Sequence, residues 1–96
     1  MALANLKISE AIDKKLAHKH GVSRSEVEQC FMNRTGKLLV DSREDHKTDP
    51  PTLWFLSRTN RGRCLKVVYI QNGPNITLKS AFEPNDDEMR IYARLG

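Results

Sequence analysis

The sequence predicts an α+β domain, with an antiparallel four-stranded sheet packed against helices in the order α-α-β-β-β-β-α. Two patterns support this class. Residues 8–36 carry apolar side chains at helical spacing between cap signals. Residues 37–82 carry short apolar segments separated by turn residues, which is typical of strands joined by hairpins. A chain of 96 residues has room for one domain, so we assign 1–96 to a single unit.

Two helices are predicted in the first part of the chain. The first covers 8–20, can be capped by Ser9, and is followed by Gly21 at the usual place of a C-terminal glycine. Its apolar side is Ile8, Ile12, Leu16 and Ala17. The second follows the capping-box spacing of Ser23 and Glu26 and ends near Gly36. Its apolar side is Val27, Cys30 and Phe31.

Strands are predicted for the second part, at 37–41, 53–57, 64–70 and 76–82. Turn residues join the last three strands as hairpins, and the β-branched run from Val67 to Ile70 favours a central place in the sheet. A final helix is expected after Asn85, which can cap it, with acidic residues near the positive end of the helix dipole. Its apolar side is Met89, Tyr92 and Ala93.

Positive charge is concentrated in one stretch of the chain. The protein has 16 Lys and Arg against 12 Asp and Glu, a net charge of +4. Residues 53–81 contain five of these bases and no acid, whereas 41–52 and 82–96 each have an acidic excess. The stretch is either a solvated face neutralised by its flanks or a surface that contacts phosphates. Its bases are Arg58, Arg61, Arg63, Lys66 and Lys79.

Several classes of function are excluded or disfavoured. No apolar run reaches about 18 residues, so we expect no membrane span, and the absence of a visible secretory signal predicts a cytoplasmic protein. We expect no cofactor and no metal, because His18 and His20 would point apart on a helix. The chain has no Gly-rich phosphate loop and no nucleophile elbow. Cys30 and Cys64 are interpreted as small apolar residues on core faces.

Cleavage of RNA remains compatible with these residue types. The 2′-hydroxyl of RNA is its own nucleophile, so a protein needs to supply only a base, an acid and cations for the phosphorane oxygens. Such groups are available on the central hairpin, in the polar 41–52 loop and on the last helix. The candidates are Arg61, Arg63, Lys66, His46, Lys47, Glu88, Arg90 and Tyr92.

Three segments resemble the BrnT toxins of bacterial toxin–antitoxin pairs, a variant of the RelE/ParE toxin fold. Residues 19–22, followed by the helix containing 26–31, resemble the opening of these toxins. Residues 59–69 resemble their Gly-Arg-x-Leu-x-Val-Val strand, and Ser80-Ala81, followed by Glu88 and Tyr92, resembles their closing segment. The resemblance implies the α+β toxin fold and a metal-independent endoribonuclease that is neutralised by a cognate antitoxin protein.

The nuclease hypothesis also assigns roles to individual residues. Arg63 and Lys66 would hold the scissile phosphate, although their odd spacing predicts opposite sheet faces unless a bulge intervenes. Proton transfer would come from Lys19, His46 or Lys47, with Glu88 and Tyr92 orienting the site. Further RNA contacts are predicted at Arg43, Arg58, Arg61, Lys79 and Arg90.

Two departures from the family pattern leave an alternative open. Phe82 stands where the family has an arginine, which removes one cation of the active surface. The 41–52 loop replaces a shorter turn and is either a source of catalytic groups or a rigid tie built on Pro50 and Pro51. It resembles a subgroup of small bacterial proteins, some named ADP-ribosyl-dinitrogen-reductase hydrolases, but the acidic metal-binding motifs of such hydrolases are not visible here. The alternative is a non-catalytic, degenerate toxin fold that binds nucleic acid or protein; an interaction domain that binds no nucleic acid is a third option.

Overall fold

A computed structural model of the protein describes residues 5–41 and 50–96. The described residues form a sheet of five strands and three helices, the first of which continues into a wider π-helical turn, called the π turn below. The helices are α1 (Glu10–Lys15, with the π turn Leu16–His20), α2 (Arg24–Asn33) and α3 (Asp86–Leu95). The strands are β1 (Leu6–Lys7), β2 (Leu39–Val40), β3 (Thr52–Arg58), β4 (Cys64–Asn72) and β5 (Asn75–Phe82).

The sheet is mixed, with strand order β1-β5-β4-β3-β2. Strands β2 to β5 are antiparallel, as predicted, and β4 holds the central position. The expectation of a purely antiparallel four-stranded sheet is nevertheless wrong, because β1 adds a parallel fifth strand beside β5. Two residues are too few to show an alternating pattern, so β1 depends on its pairing with Ile76 and Thr77 rather than on a local signal. The α+β class is confirmed.

The first predicted helix is confirmed, but its second half has unexpected geometry. Ser9 caps α1 by accepting a hydrogen bond from the backbone N–H of Ile12 at 3.3 Å, and Gly21 takes the left-handed conformation with φ 61°. The backbone N–H of Val22 reaches the carbonyl of Leu16 at 2.9 Å. Ala17 is exposed, so its predicted place on the apolar face is wrong, because consecutive helical residues lie about 100° apart and Ala17 directly follows the buried Leu16.

The second helix begins where the capping box places it and ends earlier than predicted. Ser23 Oγ accepts from the backbone N–H of Glu26 at 3.2 Å, while the Glu26 carboxylate accepts from the N–H of Ser23 at 3.1 Å. The helix ends at Asn33 instead of Gly36. Gly36 has a packing role, because a Cβ atom there would lie 2.9 Å from Cζ of Tyr92 on α3.

The last helix is confirmed, but its apolar side differs from the prediction. Asn85 and Glu88 form a capping box, with backbone-to-side-chain distances of 2.8 and 2.9 Å. Met89 is 44% exposed and Ala93 is also exposed, so their predicted burial is wrong. Only Tyr92 of the predicted set packs inward, where its ring centroid lies 5.8 Å from that of Trp54 and its hydroxyl donates to the carbonyl of Lys37 at 2.8 Å.

The two faces of the sheet differ in their cover. One, the core face, packs on α1, the π turn and α2 and contains the fully buried side chains. These are Leu16, Val27, Cys30, Phe55, Leu65, Val67, Leu78 and their neighbours. The other, the groove face, carries Trp54, Lys66, Val68 and Phe82, and among the described helices it packs mainly on α3, with His20 of the π turn at its edge. A functional site on the groove face is therefore framed by one helix and by the edges of the sheet.

Candidate nucleic-acid interface

The five bases of residues 53–81 fall into two groups in the structure. Arg63 and Lys66 form ion pairs with acids outside the stretch. For these two, the counter-charge comes from Glu26 on α2 and from Glu83 and Glu88 in the acidic segment 82–96. The other three are exposed and form no ion pair within residues 5–41 and 50–96, although Arg58 donates to the carbonyl of Gly62 at 2.8 Å. They are Arg58, Arg61 and Lys79.

Arg63 connects three separate parts of the chain. Its Nε donates to Glu83 at 3.0 Å, and its Nη1 donates to Glu26 on α2 at 3.2 Å. Its two terminal nitrogens also donate to the carbonyls of His20 and Gly21, at 3.0 and 2.8 Å. The hydrogen bond to Glu83 is the largest cause of a raised Arg63 pKa. All three guanidinium nitrogens are thus engaged within the protein.

Lys66 lies on the groove face, opposite to the contacts of Arg63, as the odd spacing predicts. It is only 7% exposed and forms an ion pair with Glu88 of α3. Its Nζ atom lies 4.6 Å from the ring centroid of Trp54 and 5.7 Å from that of Phe82. A groove of about 680 Å³ runs between the sheet and α3. It is lined by Leu39, Val40, Asp41, Trp54, Lys66, Asn85, Asp87, Glu88, Ile91 and Leu95.

His20 reaches the edge of the groove face from the π turn. β1 pairs with Ile76 and Thr77, and within residues 5–41 and 50–96 no strand lies on the outer side of the later part of β5, where the π turn packs instead. The His20 ring centroid lies 5.5 Å from that of Phe82. Partial burial, followed by the positive charges of Lys19 and Lys15, lowers the pKa of His20 below its ordinary value.

A measurement of the His20 pKa tests this packing of the π turn against β5. We expect His20 to titrate below 6.5 by NMR, and Lys19→Ala to raise its pKa only part of the way back, because burial remains the larger cause. With a depressed folded pKa, the unfolded state binds more protons as the pH falls through 6.5, so His20 lowers stability on acidification. Lys7→Ala is the matched control and should leave the titration unchanged. An unaltered His20 midpoint in Lys19→Ala would contradict the arrangement.

The structure brings some of the predicted site residues together and separates others. Lys66 and Glu88 are in contact, but Arg63 points away from them, toward α2. Lys19 is exposed on the π turn, while Tyr92 bonds to a backbone carbonyl beneath α3. Arg90 pairs with Asp87 on the surface of α3. Arg43, His46 and Lys47 lie outside the described residues, so their predicted roles stay predictions.

Four contributors were missed in the sequence. Trp54 and Phe82 flank Lys66; the sequence showed Trp54 only as an aromatic in a strand, and Phe82 only as a departure from the family pattern. Asn33 and Gln29 hold the β3–β4 turn that carries Arg61. Asn33 donates to the carbonyl of Arg58 and to the side chain of Asn60, both at 2.9 Å, and Gln29 accepts from the N–H of Asn60 at 2.9 Å. Their spacing of four residues on one side of α2 was the available clue.

Other site types find no support in the described part of the chain. Residues 5–41 and 50–96 contain no group of three or more His, Cys, Asp or Glu placed to hold a metal ion. Cys30 is buried as predicted, and burial is the largest cause that raises its pKa to about 12, so it is a thiol and not a thiolate at neutral pH. Cys64 is partly exposed, which differs from its predicted core position. None of the helices in these residues is long and apolar enough to cross a membrane.

Comparisons of the chain with protein families, with curated proteins and with solved structures found no match. The resemblance to BrnT toxins therefore stays a prediction made from the sequence. Any function must be argued from the placement of the chain's own residues, and the basic and aromatic groups around the π turn and the groove face are the strongest basis for one.

Proposed function

We propose that the protein binds RNA through a basic edge formed by Lys15, Lys19 and Lys79. The observation that carries this proposal is that all three lysines are exposed and form no ion pair with any described residue. Lys15 and Lys19 are four residues apart across the π turn, and both depress the pKa of the same imidazole, that of His20. Lys79 lies on β5, the strand that packs against this turn.

The chemistry of the edge suits a polyanion. An exposed lysine without a carboxylate partner loses no internal interaction when it contacts a phosphate, and counterion release from the nucleic acid favours binding. Arg63 and Lys66 differ, because their charges are already neutralised within the protein. We therefore assign Arg63 a structural role and place the phosphate contacts at the edge instead. This choice favours the binding module over the nuclease.

RNA cleavage is the second candidate, and one observation favours it. Lys66 and Glu88 bring an ammonium and a carboxylate into contact beside an open groove, the pair of charges that metal-free proton transfer to and from RNA requires. Membership of the BrnT toxins and neutralisation by an antitoxin belong to this second candidate. Cleavage would need a phosphate to enter the groove and displace part of the ion pair.

Salt-dependent binding tests the leading proposal. We expect a fluorescein-labelled single-stranded RNA to bind, with an affinity that falls as salt rises. The Lys15→Ala/Lys19→Ala variant should flatten the logarithmic salt slope by about 1.4, if each lysine neutralises one phosphate at roughly 0.7 per contact. Fluorescence anisotropy between about 50 and 200 mM salt measures both quantities.

The matched control is Lys37→Ala/Arg94→Ala, which removes the same charge from exposed positions away from the π turn. It should keep most of the wild-type slope. Equal losses in the two variants would show that only net charge matters and would remove the assignment to the basic edge. The same RNA, incubated in EDTA and separated on a denaturing gel, tests the second candidate. Intact RNA supports the binding module, whereas cuts that disappear in Lys66→Ala favour the nuclease.

A further inference from the structure

Four side chains form a continuous row across the groove face. His20, at the outer edge of β5, contacts Phe82 with ring centroids 5.5 Å apart. Phe82 is the direct cross-strand neighbour of Lys66, whose Nζ lies 5.7 Å from its ring centroid. Lys66 in turn lies 4.6 Å from the ring centroid of Trp54 on β3. Aromatic rings and basic groups thus alternate along the row.

The row is covered at one end and open at the other. Trp54 and Lys66 are 8% and 7% exposed, because α3 lies over them through Glu88 and Tyr92. Phe82 and His20 are only partly buried, and no helix lies over them on the groove face in the described part of the chain. The accessible aromatic surface of the row is therefore at Phe82, next to the lysines of the basic edge.

We propose that Phe82 is the platform on which an unpaired base of single-stranded RNA stacks. This inference rests on the proposed RNA binding and adds the class of RNA. The phosphates on either side of the base would contact Lys15 and Lys19, while His20 supports the ring of Phe82 from its other side. Stacking on aromatic side chains requires a base that is free of a duplex, since A-form helices bury their base faces.

The residue type at position 82 fits contact with a base rather than with a phosphate. A cation at this position would contact a phosphate. A phenyl ring beside the paired ammonium of Lys66 contacts a base instead.

Substitution of the ring tests the platform. Phe82→Leu should weaken binding of a 12-nucleotide oligo(A) by about 5- to 150-fold, which corresponds to the roughly 1–3 kcal/mol of stacking per base. The salt slope should not change, because no phosphate contact is lost. Phe82→Tyr retains the ring and should bind like the wild type. Binding of a 12-base-pair RNA duplex should be the same in all three proteins.

Two controls distinguish the loss of a stacking contact from a general loss of apolar surface and from unfolding of the variant. Val68→Ala removes apolar surface from the groove face on the neighbouring strand and should leave RNA affinity unchanged. Urea unfolding shows whether Phe82→Leu is folded under the binding conditions. Wild-type protein that binds no RNA would overturn the proposed function together with this inference. Wild-type binding that Phe82→Leu leaves intact, or weakens equally for duplex and single strand, would overturn the platform alone.

Discussion

Replacing Arg63 with alanine is expected to lower the free energy of unfolding by about 2–4 kcal/mol. The substitution removes ion pairs to Glu26 and Glu83 and hydrogen bonds to two backbone carbonyls that end the π turn. Arg63 and Glu26 are mostly buried, so water replaces these contacts incompletely. The Glu83 pair is largely exposed and contributes little to this figure. Urea unfolding followed by circular dichroism measures the change.

Arg61→Ala is the matched control for this prediction. Arg61 lies two residues away on the same turn, is exposed, and should change stability by no more than about 0.5 kcal/mol. Arg63→Lys keeps the charge but loses the planar fork, so it should fall between the wild type and the alanine variant. Equal stabilities of the Arg63→Ala and Arg61→Ala variants would show that Arg63 is not the structural residue its contacts indicate. Retained RNA affinity in folded Arg63→Ala would further separate it from the phosphate contacts.

Much of the fold could be predicted because its signals are local. The capping-box spacing at Ser23 and the cap residue Asn85 marked two helix starts correctly, since a cap depends on residues about three positions apart. The hairpins followed from turn glycines, and Gly62 and Gly73 both have positive φ. The central place of β4 followed from its β-branched run. In each case the residues that decide the structure are close together in the chain.

The parts of the fold that the sequence did not predict depend on contacts between residues that are distant in the chain. Strand β1 exists because Leu6 and Lys7 pair with residues 70 positions later, and no local pattern reveals that pairing. Met89 was predicted on the buried side of α3 but is exposed, because α3 contacts the sheet along one edge, at Tyr92. A hydrophobic stripe predicts a buried face only where enough of the sheet lies beneath it.

The candidate site was predicted less well, because charge counting does not show which charges pair. The acid-free stretch was real in the sequence, but Glu26 and Glu88 reach into it from both flanks. These contacts neutralise Arg63 and Lys66, so that Arg58, Arg61 and Lys79 are the bases of the stretch without an ion pair among the described residues. Phe82, which in the sequence argued against a phosphate site, becomes part of the candidate surface once its neighbours His20 and Lys66 are known.

Removing the Glu88 carboxylate is expected to destabilise the protein more than removing the Lys66 ammonium. Glu88→Gln should cost about 2–4 kcal/mol, because Lys66 stays 93% buried with no other carboxylate paired to it in residues 5–41 and 50–96. Contacts with the rings of Trp54 and Phe82 compensate only part of this cost. Lys66→Met keeps the apolar stem and leaves Glu88 bonded to the N–H of Asn85 at the start of α3, so it should cost about 1 kcal/mol or less.

The double variant Lys66→Met/Glu88→Gln tests whether Glu88→Gln is the more destabilising substitution because it leaves the buried Lys66 ammonium without its carboxylate. Once the ammonium is gone, losing the carboxylate no longer strands a buried charge, so the double variant should be more stable than Glu88→Gln alone. The exposed pair Arg90 and Asp87 on the same helix is the control, and its Arg90→Met/Asp87→Asn cycle should show coupling of no more than about 0.5 kcal/mol. If the two single substitutions lower the free energy of unfolding by amounts that simply add in the double variant, Lys66 and Glu88 do not form a desolvated ion pair. Strong coupling would mean that a ligand entering the groove must replace Glu88 with an anion of its own, and a phosphate is such an anion.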